Sequence, residues 1–266
     1  MGLDRRRFLK IAGLTTLFGL GGKAAIQILA PGEVNAAVEA LPLTEGKRWA
    51  MVIDTNKMDE KLMNACIEAC HHEHNVPDLG NPKEEIKWIW KEDYHHSFPG
   101  QQHNYISEEV KHRNFLLMCN HCSNPPCCRV CPTKSTWQRE DGVVMMDPHR
   151  CIGCRFCMAA CPFGARSFNW GDPRKASKEK NPDFPTNQAY PTRSKGVVEK
   201  CNFCAERLAK GELPVCVERA NKTKKNAMIF GDLSDPDSDV RAVLHKHYTI
   251  RRKPELGSEP NLFFIV

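Results

Sequence analysis

The chain has 266 residues, 41% hydrophobic and 26% charged, enough for one large or two small domains with buried cores and too apolar for a disordered tail. Its net charge of +6 excludes a nucleic-acid footprint, because half of it lies in the first 36 residues, where Arg5, Arg6, Arg7, Lys10 and Lys23 stand against Asp4 and Glu33. Fourteen cysteines, about 5% of the chain, far exceed ordinary usage and set the problem.

Residues 1–37 read as a targeting segment. Asp4-Arg5-Arg6-Arg7-Phe8-Leu9-Lys10 precedes an apolar run from Ile11 to Gly22, then Lys23, more apolar residues to Ala30, and small residues around Ala36. A basic region, a short apolar region and a small-residue site predict an export signal. The paired arginines ahead of Phe-Leu-Lys resemble the twin-arginine address, which is read by a receptor and carries proteins already folded. The rival is a retained membrane helix over 11–30, opposed by Lys23, Gln27 and four glycines in that stretch. The remaining 44–266 contain no other apolar run long enough to cross a bilayer.

Within 44–266, Arg48–Asp54 predicts a strand. Met63-Asn-Ala-Cys66-Ile-Glu-Ala-Cys70 follows, then His71, His72 and His74, which are expected at an exposed helix end. The 48 residues between Cys70 and Cys119 carry scattered aromatics (Trp88, Trp90, Tyr94, Phe98, Tyr105) and are long for a loop, which suggests a functional or partner-contacting insertion. Cys119-Asn-His-Cys122-Ser-Asn-Pro-Pro-Cys127-Cys-Arg-Val-Cys131-Pro132 comes next, then a short strand at Val143–Asp147. Cys151-Ile-Gly-Cys154-Arg-Phe-Cys157-Met-Ala-Ala-Cys161-Pro162 is the best-formed run. A polar, proline-containing excursion over 171–196 reads as a clamp for a neighbouring subunit. Cys201-Asn-Phe-Cys204, Cys216 and a terminal strand at Leu262–Val266 complete the chain.

The run from Cys151 has the C-x2-C-x2-C-x3-C-P spacing of a [4Fe–4S] loop, in which the fourth cysteine ligates the neighbouring cluster. Gly153 lets the backbone approach the site, and Pro162 fixes the exit of the chain. The run from Cys119 is the same device with a longer loop. Crossing the fourth cysteines gives Cys119, Cys122, Cys127 and Cys161 for one cluster, and Cys151, Cys154, Cys157 and Cys131 for a second. Cys201, Cys204 and Cys216 lack a local fourth ligand, and the same rule supplies Cys70 for a third. The fourth site of such a pattern would need thiolates at Glu60 (or Met58), Met63, Cys66 and Ala220, where only Cys66 has one. Three clusters are therefore expected. Cys66 and Cys128 remain as buried thiols.

Other uses of these cysteines fit less well. Zinc ribbons need two C-x2-C pairs rather than this density with two Cys-Pro steps, and zinc is least unfavourable at Cys201–Cys204. Disulfides suit an exported chain, but cysteines crowded on one tight loop are badly placed to pair. No C-x-x-C is followed by His, which excludes covalent haem. Trp88, Trp90, Trp137 and Trp170 read as core or rim. No nucleophile–base constellation, phosphate loop or dinucleotide fingerprint is present.

From about Arg48 onward the sequence resembles the four-cluster ferredoxin-type electron-transfer subunits of molybdopterin- and NrfD-linked respiratory complexes. The resemblance is carried by Trp49-Ala-Met-Val-Ile-Asp54, the Cys119–Cys127 loop, Asp147-Pro-His-Arg-Cys-Ile-Gly-Cys154, Lys200-Cys-Asn-Phe-Cys204, Ile229-Phe-Gly-Asp232 and Pro260-Asn-Leu-Phe-Phe-Ile-Val266. The arginine signal, Cys66-Ile-Glu-Ala-Cys70-His-His-Glu-His-Asn-Val-Pro77 and the three-cluster count are most similar to its DsrO (HmeA) branch, the extracytoplasmic iron–sulfur subunits of DsrMKJOP complexes in sulfur-metabolising prokaryotes. The departures at Glu60, Met63 and Ala220 take away the family's fourth cluster. The expected fold is α+β: two pseudo-symmetric ferredoxin-like modules, a central one at 118–170 and a split one at 48–75 plus 197–235. The resemblance implies one-electron relay without catalysis on the periplasmic face of the membrane. It also implies an NrfD-type quinone-interacting membrane subunit, a small c-type cytochrome and a link to menaquinone and sulfate reduction. The runner-up is the electron-transfer subunit of a periplasmic polysulfide or thiosulfate reductase, and a structural metal-binding adaptor is a third reading.

Overall fold

A computed structural model describes residues 46–266; the targeting segment at 1–37 lies outside the described residues. Strand β1 (Trp49–Asp54) is buried on both faces because its side chains alternate between two cores: Met51 and Ile53 point into the larger, Ala50 and Val52 into the smaller. Helix α1 (Glu60–Glu73) starts where the Asp59 side chain accepts from the Leu62 amide at 2.8 Å. Its buried residues Leu62, Met63, Cys66 and Cys70 recur at helical spacing and form one face.

The stretch expected to be an insertion contributes most of its aromatic residues to the core, while much of the rest is exposed. It forms the antiparallel pair β2 (Ile89–Asp93) and β3 (Asn114–Met118), and Trp88, Trp90, Tyr94, Phe98 and Phe115 are all buried. Tyr105 alone among its aromatics is strongly exposed.

The cysteine-rich segment that follows has little regular structure. Helix α2 (Pro126–Arg129), the hairpin of β4 (Thr136–Gln138) with β5 (Val144–Met146), and helix α3 (Phe156–Ala160) are each made of elements of five residues or fewer. Strand β6 (Ser167–Phe168) pairs with β7 (Val198–Glu199), and helix α4 (Pro173–Lys180) lies in the excursion between them. That excursion clamps its own polypeptide. Arg193 donates to the His74 and Asn75 carbonyls at 2.5 and 2.7 Å and pairs with buried Glu199 at 2.7 Å. Asn75 reaches the Asn187 and Tyr190 carbonyls, both at 2.7 Å.

Helices α5 (Ala205–Leu208) and α6 (Val215–Thr223) come next, and α6 packs against α1. Strand β8 (Met228–Asp232), helix α7 (Asp239–Lys246), β9 (Thr249–Ile250) and β10 (Leu262–Ile265) complete the fold. The largest sheet has the order β8-β1-β10-β9, with β1 parallel to β10 and antiparallel to β8. Just before β10, Asn261 donates from its backbone to the Asn120 carbonyl at 2.9 Å and from its amide side chain to the His121 carbonyl at 2.7 Å. Ser123 and Asn124 in turn donate to the Glu259 and Ser258 carbonyls. The segment before β10 thus braces the Cys119–Asn124 loop.

The architecture is mixed α and β with small sheets, and no helix among the described residues is long and apolar enough to cross a membrane.

Candidate metal centres

Three C-x-x-C loops share one backbone device. The residue before the second cysteine is left-handed in each: His121 at φ 41°, Gly153 at φ 70° and Phe203 at φ 55°. Only glycine adopts this region freely. At Gly153 a Cβ would stand 2.5 Å from the Gly196 carbonyl oxygen, so glycine is required there. His121 and Phe203 are held by each other, their rings stacked at 3.7 Å and 19°.

Cys119, Cys122, Cys127 and Cys161 line one cavity, whose remaining wall is Asn120, Pro125, Pro126, Val144, Pro162, Phe163, Ala165 and Arg166. Burial, reinforced by the neighbouring thiols, pushes Cys122 and Cys161 above the ordinary thiol range. Cys127 goes the other way. A hydrogen bond from the Cys128 thiol, with Arg166 and Lys200 nearby, favours its thiolate.

A second gathering joins segments far apart in sequence. Cys70 on α1 faces Cys201, Cys204 and Cys216, all four buried, and after burial those three neighbours are the next causes that hold the Cys70 thiol proton on. Cys201 is pushed up to about 12, by burial first. Backbone amides point at two of the sulfurs, Phe203 to Cys201 at 3.5 Å and Val215 to Cys204 at 3.4 Å. Cys66, one turn away, donates instead to the Cys216 carbonyl at 3.5 Å.

The third set is open. Cys157 is buried beside Cys151 and Cys127, Cys151 is half-buried and Cys154 is exposed. Cys131 turns its thiol to Ser135 and Thr133, at 3.2 and 3.7 Å. Burial raises its pKa, but those hydrogen bonds outweigh it and bring it to about 7. At the positions where the sequence pattern would place a fourth site, Glu60 is on the surface with Lys91 and Asn114, whereas Met63 and Ala220 are core residues.

Some residues beside the thiols carry no sequence signal. The sequence places His74 on an exposed helix end, but it is buried. It stacks on Trp88 at 4.8 Å, with Nδ1 3.0 Å from the Cys70 carbonyl and 3.7 Å from its sulfur, and Nε2 2.7 Å from Glu206. The 171–196 excursion makes the difference by tying down the end of α1. Lys200 is buried between the first two sets and donates to the Val144 and Cys201 carbonyls. Of the four tryptophans weighed as core or rim, Trp88 and Trp90 are core; Trp137 and Trp170 are exposed.

A [4Fe–4S] group needs four thiolates in a pocket that excludes water, and metal supplies the charge that makes deprotonation of buried thiols favourable. The first two sets fit that requirement: seven of their eight cysteines are buried, and the cations Arg166 and Lys200 stand beside the first set, while Glu206 lies beside the second. The site therefore defines an iron–sulfur protein. Residues 110–181 match the model of the 4Fe-4S dicluster domain. The chain is 36% identical to the Hdr-like menaquinol oxidoreductase iron-sulfur subunit 1 of Archaeoglobus fulgidus, over 98% of this chain and 97% of that one. It is 31% identical to the iron-sulfur cluster-binding subunit of menaquinone reductase from Nitratidesulfovibrio vulgaris, over 82% and 88% of the two chains. It is also 35% identical to a polysulfide reductase component of Wolinella succinogenes over 82% and 94%. This protein is a member of that family of iron–sulfur electron-transfer subunits of oxidoreductase complexes.

Proposed function

We propose that the chain is the extracytoplasmic, DsrO-type iron–sulfur subunit of a membrane menaquinone-linked respiratory complex of sulfur metabolism, exported by the twin-arginine route and holding three [4Fe–4S] clusters. The observation that carries the cluster reading is the convergence of Cys70 with Cys201, Cys204 and Cys216 on one buried spot. The end-to-end likeness to the Archaeoglobus subunit supports the choice of complex. Cys119, Cys122, Cys127 and Cys161 hold the first cluster; Cys151, Cys154, Cys157 and Cys131 the second; Cys201, Cys204, Cys216 and Cys70 the third. Each cluster, when bound, takes up and returns one electron. The protein's own residues keep water from two of the sites, and the His121–Phe203 stack ties together the loops that carry Cys122 and Cys204. The two ferredoxin-like modules are 118–170 and 48–75 with 197–235. The partners are an NrfD-type quinone-interacting membrane subunit and a c-type cytochrome.

Iron and sulfide analysis of protein purified without oxygen tests the count: about twelve irons per chain are expected, four at each site. About eight would remove the Cys201 site, and about sixteen would restore a fourth. A second reading, the electron-transfer subunit of a periplasmic molybdopterin reductase, is favoured by the likeness to the polysulfide reductase component. A neighbouring gene for a molybdopterin subunit would select it.

A further inference from the structure

Arg166 is only 4% exposed, and no carboxylate pairs with it among the described residues. One guanidinium nitrogen, Nη1, donates to the Thr136 hydroxyl at 3.0 Å and lies 3.7 Å from the Met146 sulfur. The other, Nη2, is buried with no oxygen or nitrogen partner, and the guanidinium's remaining hydrogen-bonding reach is to the Cys127 and Cys157 sulfurs. The side chain lines the cavity of Cys119, Cys122, Cys127 and Cys161, and its electrostatic neighbours are Cys127, Cys157 and Cys119. Cys127 and Cys157 belong to different cysteine sets. The guanidinium thus stands at the boundary between two candidate centres.

Burying a cation without a counter-ion is strongly unfavourable. Apart from Cys127, whose thiolate Arg166 favours, the thiols are poor compensation, whereas two clusters with eight thiolates would supply negative charge on both sides of the guanidinium. Lys200, the other buried cation near these sulfurs, is different: its ammonium is satisfied by the Val144 and Cys201 carbonyls and its place is explained by the fold. Arg166 instead turns its remaining donors to the sulfurs of Cys127 and Cys157.

We propose that Arg166 is a shared positioning residue for the two clusters of the Cys119–Cys161 segment, its fixed charge raising the reduction potential of both. The inference rests on the cluster reading above. Reduction adds one electron to a centre already negative, with no bond made or broken, so a cation fixed nearby stabilises the reduced form more than the oxidised one.

The test is an EPR-monitored redox titration with dithionite of the anaerobically purified holoprotein, comparing wild type with Arg166→Gln, Arg166→Met and Arg166→Lys. Two of three centres should become harder to reduce in the Gln and Met variants, each by at least tenfold in the reduction equilibrium, or ~59 mV for one electron. The Lys variant should recover most of that shift, and the centre of Cys70 should not move. Unchanged potentials in the neutral variants, or a Lys variant that behaves like them, would overturn the assignment. If the neutral variants lose iron instead, the Lys variant decides: retention of its iron supports a role for the charge, and loss refutes it. A wild type without three reducible centres would sink the cluster reading itself, independently of Arg166.

Discussion

A thiol that donates its hydrogen to a carbonyl is committed to the fold, and a thiol that faces three others is not. Cys66 and Cys70 lie four apart on α1 and share one face, yet Cys66 bonds the Cys216 carbonyl while Cys70 meets Cys201, Cys204 and Cys216. Cys70→Ser should abolish or convert one of the three spectroscopic centres. Cys66→Ser should keep all iron and cost about 1 kcal/mol in stability. Iron analysis and EPR of the two variants would decide, and loss of a centre from Cys66→Ser alone would reverse the assignment. The sequence pattern separates these two residues through the C-x3-C spacing, in which the later cysteine is expected to ligate a distant set. The burial of His74 is not legible in the sequence. Its cover is Arg193 and Tyr190, more than a hundred positions downstream, and no pattern near His74 announces them.

Helices α1 and α6 carry Met63 and Ala220 at positions where the sequence pattern would call for thiolates. Met63 and Ala220 are 3% and 0% exposed, and they pack in the same core as Leu62, Val217 and Met228. The small Ala220 lets the two helices approach, and the flexible Met63 side chain fills irregular space between them. Met63→Ala should therefore lower stability by about 2–4 kcal/mol while the iron content stays at about twelve. Denaturant unfolding and iron analysis of the same sample check both halves. A fall in iron with no loss of stability would return Met63 to the metal. The strands at β1, β5 and β10 are readable from alternation and apolar runs. The β2–β3 pair escapes such reading because Trp88, Trp90 and Phe115 look like scattered aromatics until the pairing places them in one core.

At the scale of the whole molecule, two parts depend on metal differently. The four-stranded sheet with α1 and α6 packs on a large apolar core, which Cys119, Cys122, Phe163 and Ala165 of the cysteine-rich segment only edge. Between β3 and β6 the described residues form only short helices and one hairpin, organised around buried thiols. Iron removal by oxidation and chelation should expose this central segment first. Limited proteolysis followed by mass spectrometry should find early cuts within 119–166 and late cuts within β1, α1 and β8. Equal rates of cleavage would mean that the sheet, too, is held by the clusters.

The position of β10 has a consequence for the order in which the molecule is made. This strand lies between β1 and β9, and the segment leading into it braces the Cys119–Asn124 loop through Asn261, Glu259 and Ser258. Residues 258–265 leave the ribosome after everything they support. Until they do, β1 lacks its parallel neighbour and the first cysteine loop lacks its brace, although all four thiols of that site have already been synthesised. A nascent polypeptide can present those thiols to an iron donor but cannot yet hold them in place. Loading of the proposed cluster there is expected to follow the synthesis of β10, and a product cut short ahead of it should retain less iron.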